Sequence, residues 1–318
     1  MDFWLRLSIL VWWKTLPIFA LRSIVVTGGN KGQGLALCRR ILVEQLDTQV
    51  FLAARDKARG QAAVQSILED GCVSKDRIEW LPLDVTDEDS VRTAASIVQK
   101  RLGEGASLHG VVSNAGILWG YSLEEQFAVN AIGACRVMDH FLPLLDPEKG
   151  RFIVVSSGLG PLMHGFASEE RQKAMQSSTL TFDDIKQIMQ ECLKDESAEG
   201  LAVIGFPGGP FADAAPDFHK YGLAKMLADA YQLRMSRKHP NLRIYSCDPG
   251  LVYTDLILKM PRYEGKEREE TGAQSPEEGV EAAMRLLFTD QGTPGNFHAM
   301  NKAKTELLST TIDVKPTE

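Results

Sequence analysis

The feature that most constrains the fold of this chain is a rhythm. Short apolar runs alternate with longer amphipathic stretches from residue 23 to residue 157. The runs are SIVV (23–26), QVFLAA (49–54), RIEWLPLD (77–84), HGVVSN (109–114) and RFIVVSS (151–157). Their apolar residues are mostly consecutive, as in strands buried on both faces. The stretches 35–46, 59–68 and 123–145 carry apolar residues at helical spacing, and Asp87 caps a further helix reaching about residue 102. Strands separated by helix-length crossovers run parallel. The expectation is a parallel sheet covered by helices on both faces.

The rhythm breaks after Ser157. Residues 158–220 form a long insert, with a helical stretch at 182–194 and a loop rich in Gly, Pro and Ala at 205–216. A structureless segment of that length is uncommon inside a domain, so the insert is expected to be partly helical. The alternation then resumes with helix 221–237, strand 242–250, helix 276–288 and a final strand at 296–300. Ser275, Pro276 and Glu278 make a clear helix start, with cap, first-turn proline and capping-box glutamate. No repeat or low-complexity linker interrupts 23–318, which is expected to be one elaborated domain.

A formal charge of −7 without any extended basic run argues against a nucleic-acid partner. The five cysteines (38, 72, 135, 192 and 247) are odd in number, widely spaced and lack a CxxC pair. That excludes a disulfide framework and a zinc site of the usual spacing, and suits a reducing, cytoplasmic setting. Residues 1–22 stand apart. They are strongly apolar and hold Trp4, Trp12 and Trp13, but Arg6, Lys14, Arg22 and Pro17 interrupt them, so no span of about 20 apolar residues exists. Three readings fit: an interfacial membrane anchor, a helix packed on the domain, or a targeting peptide.

Four motifs carry chemistry. Thr27-Gly28-Gly29-Asn30-Lys31-Gly32-Gln33-Gly34 lies between the first strand and the first helix. There glycines let a pyrophosphate approach the free N–H groups of a helix N-terminus. The second strand ends Ala53-Ala54-Arg55-Asp56. An NAD site wants a carboxylate at this corner and a 2′-phosphate wants a cation, so Arg55, with Lys31 as a second cation, favours NADP(H). The other reading makes Arg55 a solvated charge and Asp56 the ribose ligand. Tyr221 and Lys225 are spaced i, i+4, one above the other on a helix face. An ammonium beside a phenol stabilises phenolate and makes the tyrosine a usable proton donor near neutrality. Ser156 and Ser157 end the fifth strand, on the sheet edge where open α/β sheets bind ligands. Asn130 sits in the preceding helix.

Together, TGGNKGQG, SNAG (113–116), Asn130, the serine pair, YGLAK and DPGLVYT (248–254) resemble the classical short-chain dehydrogenase/reductases, in that family's order. NKG, AARDKARGQAAVQ, SPEEG and the long insert before the tyrosine are similar to its monomeric, NADPH-dependent carbonyl reductases. The resemblance implies a Rossmann-type doubly wound sheet. It implies a general-acid role for Tyr221, a pKa-lowering and ribose-binding role for Lys225, carbonyl orientation by Ser157 in preference to Ser156, and a water-linked relay through Asn130. It implies cofactor contacts from Gly28, Asn30, Lys31, Gly32, Gln33, Gly34 and Arg55, from Asp84 and Val85 at the adenine, and from Asn114, Ala115 and Gly116. Pro249, Gly250, Val252 and Thr254 would hold the nicotinamide end. Ser113 in place of the family's asparagine, Gln33 in place of an aliphatic residue, and the apolar N-terminus depart from the pattern.

The expected activity is reduction of an aldehyde or ketone with NADPH by a monomer, without a metal. Two alternatives are a membrane-associated retinol or steroid dehydrogenase with the same chemistry, which the N-terminus favours, and a non-enzymatic NADP(H)-binding regulator. Trp119, Tyr121, Phe166, Phe206 and Phe211 suit either a hydrophobic substrate or core packing.

Overall fold

The computed structural model describes residues 21–301 and 303–311. Its strands are β1 (Arg22–Thr27), β2 (Thr48–Ala54), β3 (Ile78–Pro82), β4 (Gly110–Ser113), β5 (Arg151–Val155), β6 (Arg243–Asp248), β7 (Phe297–Met300) and β8 (Leu307–Thr310). They form one sheet in the order β3-β2-β1-β4-β5-β6-β7-β8. Every pairing is parallel except β7 with β8. The doubly wound sheet expected from the alternation is therefore present. Successive residues of each strand enter opposite cores, as the pleat requires. Val25, Phe51, Val111 and Phe152 belong to one, and Ile24, Leu52, Val112 and Ile153 to the other.

Helices α1 (Gly32–Glu44) and α2 (Lys57–Glu69) contribute to the second core, with Leu37, Ile41 and Ile67 fully buried. α3 (Glu88–Leu102), capped by Asp87 as expected, faces the first core. The helix expected over 123–145 is instead composite. An α-turn (Leu123–Gln126) opens into a π-turn (Phe127–Ile132), continues as α-helix (Gly133–Phe141) and tightens at Leu142–Leu144, where Pro143 sits. The composite is called α4 below. Single π-turns cluster at functional sites, and this one holds Asn130.

The insert is helical, as expected: α5 (Leu159–Phe166), α6 (Glu169–Met175), α7 (Phe182–Cys192), α8 (Ala198–Val203) and α9 (Phe211–Ala214). Arg171 ties it together. Its Nε donates to the Ile204 carbonyl at 2.8 Å, it pairs with Glu191, and its guanidinium lies over the Phe206 ring. α10 (Pro216–Lys238) begins five residues before the expected position because Pro216 occupies the first turn, where its missing N–H costs nothing. Every residue of α10 from Tyr221 through Leu233 is buried. A helix buried on all sides is enclosed rather than laid on a surface. Here β5, β6 and α4 pack against it together with the insert helices α5 and α9.

Three further expectations are corrected. The helix expected over 276–288 is divided at Val280 into Pro276–Gly279 and Glu281–Phe288, and a Cβ on Gly279 would stand 2.6 Å from the Val252 side chain. β8 was not anticipated, since its four residues are largely exposed and carry no apolar pattern. Arg22, assigned to the apolar extension, belongs to β1 and pairs with Asp47. The readings of residues 1–22 otherwise concern 1–20, which lie outside the described residues. Among the described residues no helix is long and apolar enough to cross a membrane.

Candidate active site

Strand order reverses between β1 and β4, and ligands of open α/β sheets bind outside the carboxyl ends of the strands at such a point. A cleft of about 920 Å³ lies there. Its first wall is the glycine loop. Gly28 adopts φ +65°, a left-handed conformation that favours glycine. Gly34 lies so close to the loop that a Cβ on it would stand 2.2 Å from the Gly28 carbonyl oxygen and 2.6 Å from Asn114 Nδ2. This cradle is tied to β4. Thr27 Oγ1 accepts from the Asn114 N–H at 2.9 Å and the Ala115 N–H at 3.0 Å, and Asn114 Nδ2 donates to the Thr27 carbonyl. Thr27→Val keeps the shape and orphans two partly buried backbone donors. Each costs about 1–3 kcal/mol, so its melting temperature is expected to fall by several degrees, measured by thermal denaturation.

At the next corner, Arg55 and Arg59 both line the cleft. Asp56 does too, but its carboxylate caps α2, accepting from the Arg59 N–H at 2.8 Å. Lys31, the second cation expected, also lines the cleft and pairs with Asp255 at 2.7 Å. Asp84 and Val85 line the adjoining wall, where Asp84 Oδ1 is held by the Thr86 N–H and hydroxyl. The Gln33 amide lies 3.2 Å from the point where a Cβ on Gly279 would be, so this departure from the family pattern packs the glycine loop's helix against 276–279.

Across the cleft, Tyr221 and Lys225 project from α10 beside Ser157. Lys225 is 4% exposed, and its Nζ donates to the Val155 carbonyl at 2.7 Å and lies 5.5 Å from the Tyr221 ring centre. Burial pulls the ammonium down to about 8, against the opposing pull of Asp229, Cys247 and Asp248. Tyr221 differs from the expectation. Burial pushes its phenol up, and the Asp248 and Asp229 carboxylates add to this. Desolvation of phenolate outweighs a lysine that is turned to a backbone carbonyl. Of the two serines, Ser156 is buried and donates to Asp229 at 2.8 Å, whereas Ser157 is partly exposed. The geometry therefore favours Ser157.

Asn130 does not line the cleft. Its Oδ1 accepts from the Ile117 N–H at 3.0 Å and its Nδ2 donates to the Ile117 carbonyl at 2.8 Å, which clamps the loop after β4. The remaining expected residues, Asn30, Gly32, Ala115, Gly116, Pro249, Gly250, Val252 and Thr254, all line the cleft. Of the five aromatic residues, Trp119 and Tyr121 do so as well. Phe206 is 1% exposed within the first core, and Phe166 and Phe211 pack against that core. Leu118, Phe218, Ile257 and Met260 complete an apolar end of the cleft, with Phe218 edge-on to Trp119. Ile257 and Met260 were missed, because no local pattern marks them. Asp229 was also missed, although its spacing of four from Lys225 was visible.

The short chain dehydrogenase family model matches residues 22–168. A carbonyl reductase (NADPH) 3 of Mus musculus is 31% identical over 266 residues, covering 80% of this chain and 89% of that protein. A (+)-neomenthol dehydrogenase of Arabidopsis thaliana is 28% identical over 312 residues, 90% of this chain and 98% of its own length. Among solved structures, salutaridine reductase from Papaver somniferum matches with TM-score 0.68 at 24% identity, covering 87% of this chain and 99% of that one. NADPH-bound carbonyl reductase from chicken fatty liver matches with TM-score 0.59 at 21% identity, covering 91% and 94%. These two show the fold. The chain belongs to the short-chain dehydrogenase/reductase family, close to the carbonyl reductases, as an oxidoreductase acting on carbonyl or alcohol groups.

Proposed function

We propose that the protein reduces an aldehyde or ketone to the alcohol with NADPH. One observation carries this reading. A single cleft joins a phosphate cradle and two arginines to a phenol and an ammonium stacked on one helix. The cradle fits a dinucleotide, because the glycine turn at Gly28 and the helix packed closely on it at Gly34 both line the cleft at the helix N-terminus. Arg55 and Arg59 fit a 2′-phosphate, and the carboxylate that would hold a free ribose hydroxyl, Asp56, is already engaged as a helix cap. Relatives named as NADPH carbonyl reductases support the same choice.

The bound cofactor supplies the hydride that adds to the carbonyl carbon. Ser157 donates a hydrogen bond to the carbonyl oxygen, and Tyr221 transfers its phenolic proton there as the C–H bond forms. Burial keeps the phenol protonated until that moment, so it acts as an acid. Lys225 offsets the charge left on Tyr221, and a solvent proton restores the phenol. Leu118, Trp119, Phe218 and Met260 suit a hydrophobic carbonyl compound. Enclosure of α10 by the insert suits a monomer.

The test is oxidation of NADPH and of NADH over a panel of aldehydes and ketones, for the wild type and Arg55→Asp. Wild type is expected to prefer NADPH, and Arg55→Asp to lose about tenfold or more of that preference, a charge-assisted contact being worth about 1.5–3 kcal/mol. No turnover with any carbonyl overturns the reading. Equal use of both cofactors by wild type overturns its NADPH part.

A further inference from the structure

Asp229 is a buried carboxylate, 2% exposed, that the mechanism above does not use. Tyr221, Lys225 and Asp229 succeed one another at intervals of four along α10, so they form one line on one face. Two hydroxyls converge on Asp229. Ser156, just past the end of β5, donates to Oδ2 at 2.8 Å, and Ser246 of β6 donates to Oδ1 at 2.7 Å. The fold makes room for it with a glycine. A Cβ on Gly160 of α5 would lie 2.4 Å from Asp229 Oδ2. A neutral amide would fill the same space and bond the same serines without placing a carboxyl group in the interior, which is costly when ionised.

The neighbours of Lys225 show what the charge could do. On its own helix stand Tyr221 and Asp229. β5 presents the Val155 carbonyl, and β6 presents the Cys247 thiol and the Asp248 carboxylate. α4 brings the Asn130 amide to Gly116, beside Lys225 Nζ, and α5 brings the uncharged Gly160 to the Lys225 backbone. Burial keeps the Cys247 thiol protonated. Asp248 is turned to its own loop and accepts from the Gly250 N–H at 2.8 Å. Asp229 exerts the largest pull of any charge towards keeping Lys225 protonated, and Lys225 in return favours the ionised form of Asp229.

We propose that Asp229 is a positioning residue for the proton transfer: its carboxylate, clamped by Ser156 and Ser246, is the interior counter-charge that holds Lys225 as an ammonium at the Val155 carbonyl. The idea rests on the reading that Lys225 supports Tyr221 in carbonyl reduction. Burial lowers the Lys225 ammonium and raises the Asp229 carboxyl, and each charge in turn favours the ionised form of the other. The sign follows. Lys225 is an ammonium below its pKa and is lost as pH rises through it. Removing the negative charge lowers that pKa.

Asp229→Asn and Asp229→Ser share the lost charge and differ in shape. Two measurements are made on each folded variant and on wild type. One is the pH dependence of kcat/KM for NADPH-driven carbonyl reduction. The other is the pH dependence of Lys225 acylation by a small anhydride, read by mass spectrometry. In both variants the alkaline limb and the labelling midpoint are expected to move to lower pH by about one unit. Activity then falls about fivefold near pH 8 and little at pH 6. A purely structural Asp229 would instead lower activity equally at all pH values. That result, or an unchanged labelling midpoint in either folded variant, overturns the proposal. If wild type reduces no carbonyl compound, the functional reading fails, and the labelling midpoints still decide the role of Asp229.

Discussion

Tyr221→Phe is expected to lower kcat/KM for carbonyl reduction by about 10²- to 10⁴-fold, the usual contribution of a positioned general acid. At about 1.4 kcal/mol per tenfold this is roughly 3–5 kcal/mol of transition-state stabilisation. The substitution removes one oxygen from a side chain that is 8% exposed and keeps its ring, which packs with Leu118 and Met260. The fold and NADPH binding are therefore expected to survive, and the loss to fall mainly on kcat. Burial strengthens the case. It favours the protonated phenol, the form that a general acid needs. Steady-state NADPH oxidation with a carbonyl substrate, beside a binding titration by NADPH fluorescence, checks both halves. Undiminished turnover in Tyr221→Phe would remove the tyrosine from the mechanism.

Gly34→Ala should be the most damaging methyl group that can be added to the cradle. In an ordinary helix Gly→Ala stabilises by about 0.4–1 kcal/mol, because it narrows the unfolded ensemble. Gly34 lies within α1, and its sign is expected to reverse. The new Cβ meets the Gly28 carbonyl at 2.2 Å and Asn114 Nδ2 at 2.6 Å. Neither can yield cheaply. The first is backbone, and the second is bonded to the Thr27 carbonyl at 2.9 Å. Overpacking of this kind costs about 1–3 kcal/mol. The displaced loop is the one expected to receive the phosphates, so NADPH affinity should fall by about 100-fold or more, equivalent to roughly 3 kcal/mol. Calorimetric titration with NADPH and a thermal melt measure the two effects. A variant that is more stable than wild type and binds NADPH normally would show that the close approach of Gly34 is not what shapes the cradle.

The sheet was legible because its strands are buried on both faces, which writes continuous apolar runs separated by helix-length spacers. The site was legible where local chemistry demands particular residues: glycines at the first turn, a cation at the end of β2, and a phenol and an amine one helical turn apart. Element ends were less so. The break at Val280 has no counterpart in the helical spacing of 276–288. The π-turn at Asn130 is coupled to the clamp on Ile117, which no periodicity records.

Sequence alone determined the alternation of strands and helices, the family and most of the motif residues that line the cleft, because each depends on short-range patterning or on a side chain with few chemical substitutes. Tertiary structure decided the rest. It paired Lys31 with Asp255, turned Ser156 inward and left Ser157 at the cleft, and sent Phe206 to the core while leaving Trp119 at the site. It also reversed the expected direction for the Tyr221 phenol and set Asp229 behind Lys225. The reason is common to all of these. Burial and charge are fields summed over residues brought together from distant segments, and neither has a value until the chain has folded.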